Sequence, residues 1–147
     1  MAKLIRMSEA ASLALHAMVL MASTQRQPLS THEAAARLKV SEAHLSKVMQ
    51  RLAKGGLVRS VRGPRGGFVV GRRPDDISLL DVYESIEGKC EASRCLFDVP
   101  ACDGKKCILG GIMEKVDGQL RRYLAGARLA ALAGKYKGKS KRQQAKA

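Results

Sequence analysis

Four cysteines, Cys90, Cys95, Cys102 and Cys107, fall within eighteen residues, and the chain has no others. Their spacing is C-x4-C-x6-C-x4-C, inside the loop-like stretch EGKCEASRCLFDVPACDGKKCILG. Thiolates this close together are soft ligands that suit a metal ion or an iron–sulfur centre. Lys89, Arg94, Lys105 and Lys106 flank them, and nearby positive charge favours the thiolate form. Two other chemistries use the same residues. Four cysteines can close a tetrahedral zinc site that staples the loop, and paired thiols can act as a thiol–disulfide switch. Catalysis finds no support. No His–Asp pattern accompanies any cysteine, and no glycine-rich phosphate loop or metallohydrolase motif is present.

A second constellation lies upstream. Between Glu42 and Asp75 there is no acidic residue, while Lys47, Arg51, Lys54, Arg59, Arg62, Arg65, Arg72 and Arg73 fall in that stretch. A basic run taken alone is usually a solvated face. Here it coincides with the outer face of a helix, Ser41, Glu42, His44, Ser46, Lys47 and Gln50, and with the hairpin tip Arg62-Gly63-Pro64-Arg65-Gly66. Gln50 can pair with adenine, and Lys47 with guanine or phosphate. His44 can do either. Arg62 and Arg65 can enter a minor groove or grip phosphates, where glycine permits close approach. The candidate DNA-contact set is Ser41, His44, Ser46, Lys47, Gln50, Arg51, Arg59, Arg62 and Arg65.

The elements that must carry these residues are readable from punctuation and periodicity. Residues 8–22 predict a helix capped by Ser8, with Leu13, Ala17, Leu20 and Met21 on one face. Pro28 breaks the chain, and Ser30-Thr31 starts a second helix that ends near Val40. Ser41 caps a third, whose Leu45, Val48, Met49 and Leu52 form an inward stripe and which Gly55-Gly56 stops. Leu57–Val61 and Gly67–Val70 predict two short strands around the hairpin tip. A short helix over Ile77–Glu87 follows, with Ser78 as its cap. After the cysteines, Leu109, Ile112, Val116, Leu120, Tyr123, Ala127 and Ala131 predict one long helix from about Leu109 to Leu132 with a coiled-coil-like seam. Gly110, Gly111, Gly118 and Gly126 weaken that helix, which implies packing on a partner.

The fold expected is mainly α: a winged helix-turn-helix domain with a two-stranded wing, then a long C-terminal dimerisation helix. The boundaries are 1–88 for DNA binding, 89–108 for the cysteine loop, 109–134 for dimerisation and 135–147 for a basic disordered tail with six basic residues from Lys135 onward. Composition agrees. The 147 residues are 46% hydrophobic but only 3% aromatic, so the core is aliphatic and helix is favoured. A net charge of +14 calls for a polyanion, with nucleic acid ahead of an acidic membrane surface. Neither a secretory signal nor a membrane-length apolar run is visible, so a cytoplasmic protein with reduced thiols is expected.

GLVRSVRGPRGGFVVGRRPDDISLLDVYESIEG, residues 56–88, resembles the wing and following helix of the iron–sulfur-responsive winged-helix regulators typified by IscR and NsrR. SLALHAMVLMA resembles their first helix, VSEAHLSKVMQRLAKGGLV their recognition helix, and Cys95, Cys102 and Cys107 followed by a helix their cluster loop. The resemblance covers about residues 4–134 and implies a homodimeric transcriptional regulator, a repressor, that reads a pseudo-palindromic operator on double-stranded DNA. It implies an iron–sulfur cluster, with a 2Fe-2S form favoured over 4Fe-4S, that senses redox state, nitric oxide or iron. Cys95, Cys102 and Cys107 occupy the three ligand positions. For the fourth, Cys90 is the local candidate and His16 on the first helix the alternative. Relatives with a histidine three residues after the last cysteine have Gly110 matching here, and those that borrow a carboxylate from the partner subunit's first helix face Ser12, with Glu9 one turn earlier. Zinc in place of the cluster, a thiol–disulfide switch and a sequence-nonspecific nucleoid protein remain the other readings.

Overall fold

Helix α1, Glu9–Ala22, runs through the centre of the molecule and touches helices on several sides. Ala11, Leu13, Ala14, Ala17, Met18, Val19, Leu20 and Met21 are all buried, more than one stripe of a helix can hold. Ser8 caps it by accepting from the Ala11 N–H at 3.0 Å. The computed structural model describes residues 6–25, 27–91 and 95–135. The amino-terminal five residues, Arg94 and the basic tail beyond Lys135 lie outside them.

Two short helices complete the helix-turn-helix. α2, Thr31–Leu38, is capped by Ser30 and ends on Lys39, which takes the left-handed conformation at φ 57. That tight turn delivers Ser41 as the cap of α3, Glu42–Lys54. Leu45, Val48, Met49 and Leu52 of α3 face inward and leave the opposite side in solvent. α3 closes with the Gly56 N–H on the Ala53 carbonyl and the Leu57 N–H on the Leu52 carbonyl, both at 3.0 Å. Gly56 supplies the left-handed residue that this paired closure needs, at φ 72, and Leu57 is buried behind it.

β1, Val58–Val61, pairs antiparallel with β2, Gly67–Val70. The hairpin is anchored to the α1–α2 connection, where Leu29 and Phe68 exchange backbone hydrogen bonds of 3.0 and 2.9 Å. A Cβ on Gly67 would lie 2.4 Å from the Leu29 oxygen, so only glycine allows this approach. A 3-10 turn over Pro74–Asp76 leads into α4, Leu79–Glu87. Ser78 caps α4 in a reciprocal box: its Oγ accepts from the Asp81 N–H at 3.1 Å and its own N–H donates to Asp81 Oδ2 at 2.8 Å.

The segment after the cysteines departs from the continuous helix expected over 109–132. Gly110 and Gly111 take positive φ, and the helix α5 starts only at Ile112 and ends at Gly126. Ala127 and Arg128 are extended, and a short α6 follows over Leu129–Leu132. The break has a tertiary cause. The Leu79 N–H donates to the Ala127 carbonyl at 3.0 Å, and the Leu129 N–H donates to the Ile77 carbonyl at 2.9 Å. These two bonds dock the chain onto the lead-in to α4 and bury Leu129 and Leu124 in the core. Ile112, Leu120 and Tyr123 on α5 remain 49%, 37% and 61% exposed, so the predicted apolar seam lies on the surface. Among the described residues no helix is long and apolar enough to cross a membrane.

Candidate nucleic-acid interface and cysteine site

The exposed side of α3 carries Ser41, Lys47 and Gln50, with His44 and Ser46 half-buried beside them. Ser41 already accepts from the His44 N–H at 3.4 Å, so its hydroxyl proton and one lone pair remain for a ligand. His44 Nδ1 lies 3.5 Å from Glu9 Oε1 at the start of α1. His32, on α2, sits 3.0 Å from Glu42 Oε2. Both histidines therefore have carboxylate neighbours that sequence reading did not assign. Arg59, Arg62 and Arg65 are exposed on the hairpin.

Arg51 is placed differently from the other DNA candidates. Its guanidinium turns back and donates to the Ile86 carbonyl at the C-terminal end of α4. That carbonyl belongs to the last turn of a helix, where orphan acceptors attract a cation. Arg51 thereby fastens α3 to α4.

The root of the cysteine loop fastens to the same turn of α4. Glu84 Oε1 accepts from the Cys90 N–H at 3.2 Å. Arg121 of α5 donates to the Cys90 carbonyl and stands 3.8 Å from Glu84 Oε1. Ser8, the cap of α1, donates to Glu87 Oε1. One turn of α4 thus meets α1, α3, α5 and the start of the loop. The Glu84–Arg121 contact is long-range and carries no motif, which is why the sequence did not reveal it.

This setting separates Cys90 from the other thiols. Burial pushes its pKa up from 9.0, and Glu84 adds to the rise while Arg121 opposes it. Flanking lysines were expected to favour thiolate. At Cys90 burial and carboxylates prevail instead. Tyr83 is likewise raised, first by burial and then by Cys90, Glu87 and Asp117.

Cys95 and Cys107 are half-buried, Cys102 is exposed, and none of the four is in a disulfide. Backbone amides point at two of the sulfurs: the Phe97 N–H at Cys95 Sγ and the Leu109 N–H at Cys107 Sγ, each 3.4 Å. Contacts of this N–H···S kind tune the sulfurs of an iron–sulfur centre. The same loop exposes Leu96, Phe97, Val99 and Ile108 by 64%, 66%, 81% and 95%. The donor set therefore fits an iron–sulfur centre in kind. Among the described residues, however, no three His, Cys, Asp or Glu side chains are gathered as a metal site. His16 is exposed on α1, with Nδ1 2.7 Å from the Ser12 carbonyl oxygen. It borders a shallow cavity of about 310 Å³ with Leu15, Val19, Leu79, Leu132 and Lys135, and no cysteine lines it.

Comparison with known proteins sharpens these observations. The profile of a family named Rrf2, described as an iron-dependent transcriptional regulator, matches residues 7–135. An Aquifex aeolicus protein named as an HTH-type transcriptional regulator is 30% identical over 128 residues, 85% of this chain and 89% of its own length. IscR of Aliivibrio salmonicida is 28% identical over 108 residues, 74% of this chain, and the match spans 64% of that regulator. Among solved structures, CymR of B. subtilis, described as the global cysteine regulator, superposes with a TM-score of 0.73 at 25% identity. That match covers 90% of this chain and 98% of CymR. IscR of T. potens gives a TM-score of 0.69 at 26% identity, over 95% of this chain and 96% of its own.

Proposed function

This chain belongs to the Rrf2 family of helix-turn-helix transcriptional regulators, and from that premise we propose that it is a homodimeric repressor whose operator affinity is set by an iron–sulfur cluster. Residues 1–88 read the DNA, 89–108 hold the cluster and the segment from 109 to 134 pairs two subunits. Cys95, Cys102 and Cys107 are the proposed ligands. The Cys90 backbone is held at α4 through its N–H and its carbonyl, which makes it the hinge of the loop. The fourth ligand is Cys90 itself, with His16 as the alternative.

The observation that carries this reading is the meeting of recognition helix and loop root on one turn of α4. Arg51 grips the Ile86 carbonyl from one side, and Glu84 and Arg121 grip the Cys90 backbone from the other. A bound cluster supplies a redox-sensitive crosslink among the loop thiols. The chain's own part is mechanical. Pulling on Cys90 strains Glu84 and Arg121, α4 shifts, and Arg51 transmits the shift to α3. A differential of about 1–3 kcal/mol between two loop states changes operator affinity by roughly 5- to 150-fold. Ser41, Ser46, Lys47 and Gln50 contact base edges and phosphates in this scheme, and Arg59, Arg62 and Arg65 grip the backbone or minor groove.

Anaerobic purification with iron, sulfide and visible absorbance measured on the same sample tests the cofactor. Iron and sulfide in equal amounts, lost in a Cys95→Ala, Cys102→Ala, Cys107→Ala variant, are expected. Zinc without sulfide would make the loop a structural staple instead. A second reading, a bare-thiol regulator, is favoured by the ungathered thiols among the described residues. CymR, the cysteine regulator, is a structural neighbour at 25% identity. Metal-free protein whose DNA affinity follows thiol oxidation would establish that reading.

A further inference from the structure

The outer face of the hairpin holds a feature that the recognition helix and the wing tip do not explain. The strand register pairs Arg59 with Val69 and Val61 with Gly67, so these share one face of the hairpin. The other face carries Val58, Phe68 and Val70, which pack on the core. Val69 points away from that core, yet it is only 7% exposed. It lines a concavity of about 490 Å³ together with Arg59, Arg72, Arg73, Pro28 and Val61.

This concavity is built rather than incidental. Its edge is fixed by the Gly71 N–H, which donates to the Leu57 carbonyl at 2.8 Å. A Cβ on Gly71 would come within 2.8 Å of the Gly56 oxygen, so the backbone there is tightly seated. Arg72 and Arg73 follow directly. Arg73 lies 3.5 Å from Asp75, while Arg59 and Arg72 have no carboxylate partner among the described residues. Arg59 and Arg72 thus bring positive charge to a concavity with an apolar floor, which favours an anion there.

We infer that this concavity is a second DNA site, which takes one strand's sugar–phosphate backbone. The guanidiniums match phosphate oxygens as bidentate donors. The valines and Pro28 offer an apolar floor for the C–H face of a deoxyribose. Arg59 makes the site continuous with Arg62 and Arg65 at the tip, which favours DNA over an acidic protein segment. A site of this composition contributes affinity without reading sequence. The inference rests on the DNA-binding reading above and adds Arg72 and Arg73 to it.

The test uses the full chain and a mixed-sequence duplex of about 30 base pairs, with binding followed by fluorescence anisotropy across a salt series. Removing each phosphate contact lowers the slope of log K against log salt by about 0.9. Arg72→Ala with Arg73→Ala is expected to flatten the slope by roughly 1–2 and to weaken binding about tenfold or more near 0.1 M salt. Arg72→Lys with Arg73→Lys keeps the charge, so most of the slope should return, which a merely structural role would not predict. If wild type binds the duplex and responds to Arg62→Ala but not to the Arg72 and Arg73 substitutions, the second site is wrong and the DNA reading stands. If wild type binds no duplex at any salt, both fall. Binding of a poly-glutamate peptide through Arg72 and Arg73, with duplex affinity unchanged in their variants, would also overturn the inference.

Discussion

Arg51 shows how a long-range contact adds a role that residue type does not reveal. It sits in a basic run on α3, and the approach of Ile86 gives its guanidinium a partner within the chain. Arg51→Ala should lower stability by about 1 kcal/mol through loss of a charge-assisted bond, seen as a lower urea midpoint. Under the proposed cluster mechanism it should also shrink the difference in operator affinity between loaded and cluster-free protein, whereas loss of a direct DNA contact would weaken both forms equally. Cys90 makes a second residue-level prediction. Its raised pKa means slower alkylation at neutral pH than at Cys102, with peptide mapping as the readout. The folded chain holds that proton more tightly than the unfolded chain does. Its contribution to stability is therefore complete below pH 9.0, the ordinary thiol value, and is lost as pH climbs through the higher folded-state value. Equal alkylation rates at the two cysteines would contradict this placement. The cysteine cluster was legible because its spacing is local. The family resemblance already set Cys90 apart from the other three; the hold of Glu84 and Arg121 on its backbone was not legible, because they come from separate helices.

At the scale of elements, what is decided locally was readable in advance. Ser8, Ser30, Ser41 and Ser78 all cap the helices expected of them, and Gly56 closes α3 through its own backbone geometry. The break at Ala127–Arg128 was not readable. Ala-Arg-Leu-Ala favours helix, and only hydrogen bonds to Ile77 and Leu79 overrule that preference. Ser78→Ala should destabilise the chain by about 1–2 kcal/mol, roughly 3–6 °C in Tm, since it removes a buried cap at the point where α4 receives the C-terminal segment. Gly67→Ala is expected to be harsher. Its Cβ would strike the Leu29 carbonyl, and the wing should leave the α1–α2 connection at a cost of roughly 2–4 kcal/mol. Amide exchange at Phe68 and Leu29 reports that release directly, and unchanged protection there would refute the close approach.

For the whole molecule, charge and the α5 surface set the terms of assembly. Ile112, Leu120 and Tyr123 form an apolar strip that one chain leaves in solvent, and a second copy with the same strip can cover it with a two-fold axis. Leu120→Glu should yield monomers by light scattering and reduce operator affinity about 100-fold or more, because two reading heads then bind independently. A monomeric wild type would remove this basis for a paired operator. The contact between Ser78 and Arg128 has a consequence of a different kind. It closes a loop of about fifty residues, so its entropy of closure is paid late. On a ribosome, α1 to α4 emerge and can collapse while Leu129 is still undelivered. The half of the chain with the helix-turn-helix is therefore expected to be the older structure in every folding event, with the C-terminal segment docking afterwards. Native-state exchange should find the Leu79 and Leu129 amides opening before those of Val48 and Leu52.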